Sequence, residues 1–211
     1  MICVVGEALV DVFTAPDGSV QETVGGSPLN LAVALARLDV PAYLVTQTGT
    51  DDRGERVVEH LTRSGVEVLA APTPSGRTPT ARVRLDDTGS PSYAFDLEWS
   101  LAAQELPACD ALHVGSLGAV LEPGRNSVVD LVEQAWQRDV FVSYDPNVRA
   151  EFLAEPDQVW RDVAALGERA SLVKLSSEDV ALLHPGADPE DIARSLLTGE
   201  RTELVLLTHG G

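Results

Sequence analysis

Short apolar segments alternate with amphipathic segments along most of the chain, and this order constrains the fold more than any other feature. The first segment, Ile2–Val5, is continuously apolar, which is typical of a strand buried on both faces. Leu31, Leu35 and Leu38 then recur at helical spacing before the next apolar segment. The β-α-β-α-β order at the start of the chain predicts a parallel sheet with helices on its faces.

The same alternation returns in the second half of the chain. Helices are predicted over residues 123–138, 156–170 and 188–197, with a short helix after Ser176. The remaining predicted strands cover residues 111–114, 140–144, 172–175 and 203–208. Because the chain has 211 residues and no linker-like segment, the sequence predicts a single α/β domain.

A different pattern interrupts this order in the middle of the chain. Residues 80–85 alternate strictly between apolar and polar types, a turn signal follows at 87–90, and residues 92–97 form a second candidate strand. Such an antiparallel hairpin with one polar face indicates a flap or lid. Residues 19–24 form a weaker, exposed candidate strand. We therefore predict two β-lid segments, at about 12–24 and 79–98.

A glycine-rich hexapeptide, Gly25-Gly26-Ser27-Pro28-Leu29-Asn30, lies directly before the first predicted helix. Its glycines allow backbone angles and close approaches that other residues do not. Ser27 is suited to the N-cap and Pro28 to the first helical position. Free N–H groups at a helix start favour electron-rich ligand atoms, and Asn30 adds amide donors and an acceptor. The hexapeptide alone fits a ligand-binding loop and an ordinary capping loop equally well.

The composition excludes several classes of partner. A net charge of −18 argues against nucleic acid and anionic membrane surfaces, although an anionic small ligand needs only local positive charge. No apolar run reaches the ~18–20 residues that span a bilayer, and the first residues lack a signal-peptide pattern. Cys3 and Cys109 lie in apolar contexts without metal-ligand spacing, which indicates reduced thiols in a cytoplasmic protein.

Several motifs in register resemble those of one family. They are Gly-Glu-Ala-Leu-Val-Asp at 6–11, the hexapeptide at 25–30, Gly-Thr-Asp-Asp-Arg-Gly at 49–54, Asp-Pro-Asn-Val-Arg at 145–149 and Val-Lys-Leu-Ser at 173–176. On these residues the chain resembles the ribokinase-like carbohydrate kinases, the PfkB family, and most of all its fructokinase and 2-keto-3-deoxygluconate kinase branch. The resemblance implies a three-layer αβα fold with a mostly parallel sheet and a small β lid. It also implies transfer of the γ-phosphoryl group of ATP to a sugar hydroxyl, with Mg²⁺.

The resemblance implies a sugar site built from four residues near the N-terminus, Asp11, Gly25, Gly26 and Asn30. Asp11 lies among apolar residues, where a carboxylate needs a partner or serves a site. The alternatives are a turn-capping carboxylate at Asp11 and a solvent-facing amide at Asn30. Phe95, or Tyr93 beside it, is expected to cover the sugar from the lid, with ordinary lid packing as the alternative.

Two basic residues are expected at phosphates or carboxylates. Arg149 follows a predicted strand and should emerge at the carboxyl edge of the sheet, where open α/β folds bind ligands. Its planar fork suits a phosphate or a substrate carboxylate, and the alternative is a surface ion pair with Glu151 or Glu155. Lys174 lies within an apolar strand and should reach a phosphate or a carboxylate, or extend from the strand end to water.

The resemblance places a nucleotide site in the last third of the chain, at Lys174, Ser176, Asp179, Thr208 and Gly210. The family often has Asn and Glu at the positions of Ser176 and Asp179, where they organise Mg²⁺ and phosphate. A helix cap is an equally good interpretation of this pair. The sequence assigns no metal ligand.

The family's Gly-Ala-Gly-Asp motif, which supplies the catalytic base and an anion hole, does not occur in these 211 residues. We therefore assign no catalytic residue, expect no phosphoryl transfer by these residues alone, and expect them to be the sugar-binding half of a longer kinase. The alternative is a non-catalytic sugar-binding or regulatory relative. Lids of this family often pair between subunits, so a homodimer through the lid is a further expectation.

Overall fold

The computed structural model describes residues 1–15, 17–85, 91–153, 155–197 and 199–210, and only the backbone at 84, 85 and 91–93. Within these ranges the chain runs through β1 (Ile2–Val5), β2 (Leu9–Thr14), β3 (Val20–Gly25), α1 (Ser27–Arg37), β4 (Ala42–Thr48), α2 (Asp52–Arg63), β5 (Glu67–Pro72), β6 (Thr80–Leu85), β7 (Pro91–Asp96), β8 (Ala111–Gly115), α3 (Gly124–Gln137), β9 (Phe141–Asp145), α4 (Pro156–Gly167), β10 (Leu172–Ser176), α5 (Ser177–Leu183), α6 (Pro189–Leu196) and β11 (Leu204–Thr208). Two short 3₁₀ helices, Ser116–Ala119 and Ala150–Phe152, follow β8 and β9.

Seven strands form the central sheet in the order β11-β10-β9-β8-β1-β4-β5. All neighbouring strands are parallel. Val5 of β1, for example, is in register with Val45 of β4 and with Val114 of β8. This confirms the parallel sheet predicted from the sequence. The chain proceeds outward from β1 to β4 and β5, then returns and proceeds outward on the other side from β8 to β11. The strand order therefore reverses between β1 and β8.

Helices cover both faces of this sheet. Side chains alternate between the two faces along each strand, and the apolar side chains on each face pack against helices. Val4 of β1 and Leu44 of β4 belong to a buried cluster with apolar residues of α1 and α2. Val5 and Val45, one position further along, belong to a second buried cluster with residues of α3, α4, α5 and α6. This helix–sheet–helix arrangement confirms the predicted three-layer fold.

Four strands form a second, smaller sheet in the order β3-β2-β6-β7, which we call the lid sheet. β6 and β7 are antiparallel, as predicted for the hairpin, and the turn predicted at 87–90 lies outside the described residues. β2 begins at Leu9, before the predicted lid segment, and β3 ends at Gly25. The sequence did not predict that β2 pairs in parallel with β6, with Val10 opposite Thr80, because periodicity reports only local structure.

The start of α1 differs from the prediction by one residue. The helix begins at Ser27, and Gly26, with a φ of 112°, occupies the N-cap position. The prediction that Ser27 is the N-cap is therefore wrong. A cap residue in this left-handed region favours glycine, so Gly26 directs the chain into the helix. Pro28, predicted at the first helical position, is the second residue of the helix and lies in its first turn.

The N-terminus of α2 connects the lid sheet to the central sheet. Arg53 of α2 donates to the carboxylate of Glu22 in β3 at 3.0 Å. Asp51, the N-cap of α2, accepts the N–H groups of Gly54 and Thr78 at 3.0 Å each. Thr78 lies two residues before β6. The N-terminus of α2 therefore contacts both β3 and the segment that leads into β6.

Both cysteines are free thiols, as predicted, with Cys3 buried and Cys109 partly buried. Within the described ranges, no helix combines the length and the apolar character that crossing a membrane requires.

Candidate functional site

A cleft of about 610 Å³ lies between the central sheet and the lid sheet. The central sheet contributes residues that follow β1, β8 and β9, namely Glu7, Ser116, Leu117, Asn147 and Arg149. The lid sheet contributes Leu9, Asp11, Ala81 and Phe95, and the start of α1 contributes Gly26, Ser27 and Asn30. Residues far apart in the sequence therefore surround one space.

The topology of the central sheet explains the position of this cleft. The strand order reverses between β1 and β8, and open α/β sheets bind ligands in the crevice beyond the carboxyl ends of the strands at such a reversal. Glu7, Ser116 and Asn147 follow three adjacent strands at this edge. A second depression, of about 580 Å³, lies along α2 and contains none of the predicted site residues. We therefore assign the functional site to the cleft.

Asp11, Ala81 and Phe95 form one row across the lid sheet. Asp11 is in register with Ala81, and Ala81 with Phe95, so their side chains share one face, and all three line the cleft. The Phe95 ring packs against Phe152 with 5.1 Å between centroids, which links the lid sheet to the segment after β9. The side chain of Tyr93, the predicted alternative to Phe95, lies outside the described residues.

The Asp11 carboxylate is an acceptor without a partner. It is half-buried, and among the described residues it has neither a hydrogen-bond donor nor a cation, so the turn-capping alternative finds no support. Burial raises the pKa of Asp11, because removing a carboxylate from water penalises its charged form. A polar ligand in the cleft is the group that would compensate this charge.

The surroundings of Gly26 require glycine, and those of Gly25 favour it. A Cβ at Gly25 would overlap the carboxylate of Asp11, whose Cγ would be 3.3 Å away. A Cβ at Gly26 would lie 2.7 Å from the backbone oxygen of Glu7. Gly25 thus makes room for Asp11, while Gly26 lines the cleft itself. Asn30, exposed in the first turn of α1, lines the same cleft.

Arg149 lies at the carboxyl edge of the central sheet, as predicted, and lines the cleft. Its Nη1 donates to the side-chain oxygen of Asn147 at 2.9 Å and to the backbone oxygen of Val148 at 3.2 Å. Within the described ranges it forms no ion pair with Glu151 or Glu155, the predicted alternative. Its remaining donors are exposed, so they are accessible to a ligand.

The predicted nucleotide residues are not among those that line the cleft, and they lie in β10, in the first turn of α5 and at the end of β11. Lys174 pairs with Asp145 at 3.1 Å between Nζ and Oδ2. A carboxylate was one of the partners predicted for this lysine. Burial outweighs this ion pair and raises the pKa of Asp145. Ser176 is in register with Thr208, and Gly210 follows β11. These residues form a second polar edge beside the cleft.

Ser176 and Asp179 form a capping box at the start of α5. Ser176 Oγ accepts the N–H of Asp179 at 3.0 Å, and the Asp179 carboxylate accepts the N–H of Ser176 at 2.9 Å. Its other oxygen accepts the N–H of Val148 at 2.7 Å, and the side chain is only 3% exposed. The helix-cap interpretation is therefore the one that the structure shows. The predicted contact of Asp179 with Mg²⁺ and phosphate does not fit this arrangement.

Comparison with known families matches residues 1–211 to the pfkB family carbohydrate kinases. The chain belongs to this family. The relatives include a fructokinase of Vibrio alginolyticus, 31% identical over 99% of this chain and 70% of its own length. A fructokinase of Salmonella typhimurium is 30% identical over 99% of this chain and 71% of its own length. Both agree with the predicted fructokinase branch.

Solved structures of fructokinases have the same fold. Fructokinase from Xylella fastidiosa superposes with a TM-score of 0.85 at 24% identity, covering 100% of this chain and 72% of the other. The structure of that fructokinase with bound ATP gives a TM-score of 0.84 at 23% identity, with the same coverage. Fructokinase from Halothermothrix orenii gives 0.85 at 23% identity, covering 98% of this chain and 78% of the other. The predicted ribokinase-like αβα fold is thereby confirmed.

Sequence reasoning did not assign Glu7 to the site of this pfkB family chain. Its side chain is 4% exposed and lines the cleft, and its Oε2 accepts the N–H of Gly118 at 2.9 Å. Burial raises the pKa of Glu7 to about 7, against hydrogen bonds from Gly118 and Ser116 and the charge of Arg149. The signal was present in the sequence, because a carboxylate two residues after the buried strand β1 lies at the carboxyl edge of the sheet, where ligands bind.

Replacing Glu7 by glutamine is expected to favour the folded state more at high pH than at low pH. Because the pKa of Glu7 is raised from 4.5 to about 7 on folding, the unaltered chain loses stability as the pH rises through that window, while glutamine stays neutral. The free energy of unfolding of Glu7→Gln, relative to the unaltered chain, should gain about 2–3 kcal/mol between about pH 5 and pH 8. Urea unfolding measures this, with the exposed Glu105→Gln as control. A difference independent of pH would contradict the burial of a titrating Glu7.

The described residues contain no group of three or more His, Cys, Asp or Glu side chains that would hold a metal ion by themselves. Mg²⁺ in phosphoryl-transfer sites is commonly held by one or two carboxylates together with water and substrate phosphates. No protein ligand is assigned to Mg²⁺.

Proposed function

We propose that these 211 residues carry the sugar-binding part of an ATP-dependent sugar kinase and that the sugar is fructose. The observation that carries the proposal is the half-buried Asp11 carboxylate, which faces the cleft without a protein partner. Two sugar hydroxyls donating to its oxygens would replace the water that burial has removed. Fructokinases at 30–31% identity support the choice of sugar.

The remaining residues of the cleft have complementary roles in this proposal. Asn30 donates to and accepts from a sugar hydroxyl, and Gly26 allows the sugar to approach the backbone. Phe95 covers the sugar from the lid sheet and excludes water from the reacting hydroxyl. Arg149 turns its exposed guanidinium toward the incoming phosphate or a hydroxyl. Gly25 acts indirectly by leaving space for Asp11.

The charge of the cleft favours a neutral sugar over a sugar acid. Glu7, Asp11 and Glu151 are acidic, while Arg149 is the basic residue among those that line the cleft in the described ranges. A carboxylate substrate such as 2-keto-3-deoxygluconate would meet Asp11, Glu151 and a Glu7 whose pKa is about 7, for one arginine. This balance supports fructose within the predicted branch.

We propose that ATP lies along the carboxyl ends of β10 and β11, near Lys174, Ser176, Thr208 and Gly210. The bound ATP of the Xylella fastidiosa fructokinase, a protein of the same fold, supports ATP as the phosphoryl donor. Mg²⁺ would neutralise charge on the phosphates. Lys174 stays available for a phosphate if Asp145 releases it. Asp179 holds the start of α5 and the backbone of Val148 in place instead.

The lid sheet ends in β3 on one side and β7 on the other within the described residues, so neither outer strand has a second neighbour. Such edges accept a strand from another chain. This supports the predicted homodimer through the lid, which stays a prediction.

Calorimetry with fructose, ribose and 2-keto-3-deoxygluconate tests the proposal on these 211 residues. We expect heat of binding with fructose, weaker or absent heat with the others, and no ADP release with Mg²⁺ and ATP, since the Gly-Ala-Gly-Asp segment does not occur here. ADP release would contradict the assignment of no catalytic residue. An absence of heat with every sugar would contradict the proposed function.

A further inference from the structure

Two residues beside the cleft have an unusual backbone conformation. Ser116 directly follows β8 and has a φ of 54°, and Asn147 follows β9 and has a φ of 42°. The other non-glycine residues with positive φ in the described ranges, Asp39 and Asp139, follow the ends of α1 and α3, where a left-handed residue is ordinary. Ser116 and Asn147 do not end an α-helix. Strain of this kind persists where the surroundings impose it, and it concentrates at functional sites.

These two strained residues are joined in a chain of hydrogen bonds that crosses the edge of the central sheet. Arg149 Nη1 donates to Asn147 Oδ1 at 2.9 Å, and Asn147 Nδ2 donates to Ser116 Oγ at 3.4 Å. Ser116 begins the 3₁₀ turn whose Gly118 donates its N–H to Glu7 Oε2 at 2.9 Å, and Ser116 lowers the pKa of the Glu7 carboxyl group. Both side-chain hydrogen bonds therefore point from the arginine toward the turn that holds the glutamate. The chain links residues that follow β9, β8 and β1, the three strands beside the topological reversal.

The charges at the two ends explain the direction of the chain. Glu7 is almost fully buried and forms no ion pair in the described ranges, so the dipoles of Ser116 and Asn147 connect it to the cation Arg149. The other charged groups that face this cleft are Asp11 from the lid sheet and Glu151 after β9. The 3₁₀ turn Ser116–Ala119 contains no charged residue, and the first turn of α1 contains no acidic one. Arg149 is therefore the cation that Glu7 can orient.

We infer that Glu7, Ser116 and Asn147 form a relay that positions Arg149 for the bound sugar. The inference rests on the proposed function for the ligand, but the relay itself does not. Ser116 and Asn147 are positioning residues: each holds the next side chain, and the strained backbone aims their polar groups along the edge of the sheet. Breaking any link leaves the guanidinium held less firmly, by its bonds to the backbone oxygens of Asn147 and Val148, so sugar binding weakens although Arg149 is unchanged.

Glycine substitutions test the relay without disturbing the backbone. Ser116→Gly and Asn147→Gly remove the side chains but keep the left-handed conformation, which glycine adopts readily. Asp39→Gly, at a φ of 57° and remote from the cleft, is the matched control. We expect fructose affinity by calorimetry to fall about three- to tenfold in the first two variants and to stay unchanged in the control.

In an Arg149→Met background, Ser116→Gly should cost no further affinity, because the relay acts through Arg149. Independent, additive losses would overturn the inference.

A second measurement does not require a sugar. The titration of the Glu7 carboxyl group, followed by NMR, should shift to higher pKa in Ser116→Gly, Asn147→Gly and Arg149→Met, because each loses a group that stabilises the carboxylate. If the unaltered chain binds no fructose and these shifts still occur, the proposed function fails while the relay is supported. If Asn147→Gly leaves the Glu7 titration unchanged, the relay is overturned whether or not fructose binds.

Discussion

Asp11→Ala is expected to reduce fructose affinity by about two orders of magnitude, because two charge-assisted hydrogen bonds to the sugar are lost at once. The fold should be unaffected. Burial raises the pKa of Asp11, so its charge opposes folding at neutral pH, and alanine removes that opposition. Calorimetry gives the affinity, and thermal unfolding should show an unchanged or higher midpoint.

Asp96→Ala is the matched control for this experiment. Asp96 lies next to Phe95 in β7, so its side chain is on the opposite face of the lid sheet, and it is exposed. This variant should bind fructose like the unaltered chain. A folded Asp11→Ala chain that binds fructose with unaltered affinity would remove Asp11 from the site, and the proposal would lose its main support.

Gly54→Ala is expected to lower the free energy of unfolding by about 3 kcal/mol, although alanine is the better helix former. A Cβ at Gly54 would overlap the backbone oxygen of Gly49 and lie 2.8 Å from its carbonyl carbon. Backbone atoms cannot move aside cheaply, so the first turn of α2 must shift. That turn carries the cap at Asp51 and the bond to Glu22, so the lid sheet should loosen and fructose affinity should fall with stability.

Gly167→Ala is the control, because Gly167 also lies in a helix but a Cβ there would make ordinary contacts, 3.5 Å from Leu196. This variant should be as stable as the unaltered chain or more stable by up to about 1 kcal/mol. Urea unfolding therefore tests whether Gly54→Ala lowers the free energy of unfolding while Gly167→Ala leaves it unchanged or raises it. Equal effects of the two substitutions would show that α2 tolerates a closer neighbour than its packing indicates.

Most of the fold was predictable because its determinants are local. The buried strands, the helices and the antiparallel pairing of β6 with β7 follow from periodicity and turn residues within a few positions of one another. The start of α1 was misplaced by one residue, because a serine and a glycine both suit an N-cap and only the φ of Gly26 decides between them. The parallel pairing of β2 with β6 has no local signature.

The site was predictable in part. Asp11, Gly26, Asn30, Phe95 and Arg149 were expected from motifs, and the structure brings them to one cleft. Glu7 was not assigned to the site, because Asp11 was taken as the functional carboxylate of the motif at 6–11. The burial of Glu7 becomes evident only from the pairing of β1 with β8. Asp179 was expected at phosphate and is instead enclosed by backbone N–H groups. A carboxylate near a strand end suits both roles, and only its contacts distinguish them.

The sequence by itself determined the family, the alternation that forms a parallel sheet, and the glycines and polar residues that such a sheet places at its edge. These features depend on residues three or four positions apart, or on motifs that are recognisable in the sequence itself. The tertiary structure alone decided which side chains meet. Asp11 and Phe95 share one face of the lid sheet only because β2 pairs with β6 and β6 with β7. Glu7 is linked to Arg149 only because β1, β8 and β9 are adjacent. Contacts between distant residues depend on the whole strand order, which no local pattern encodes.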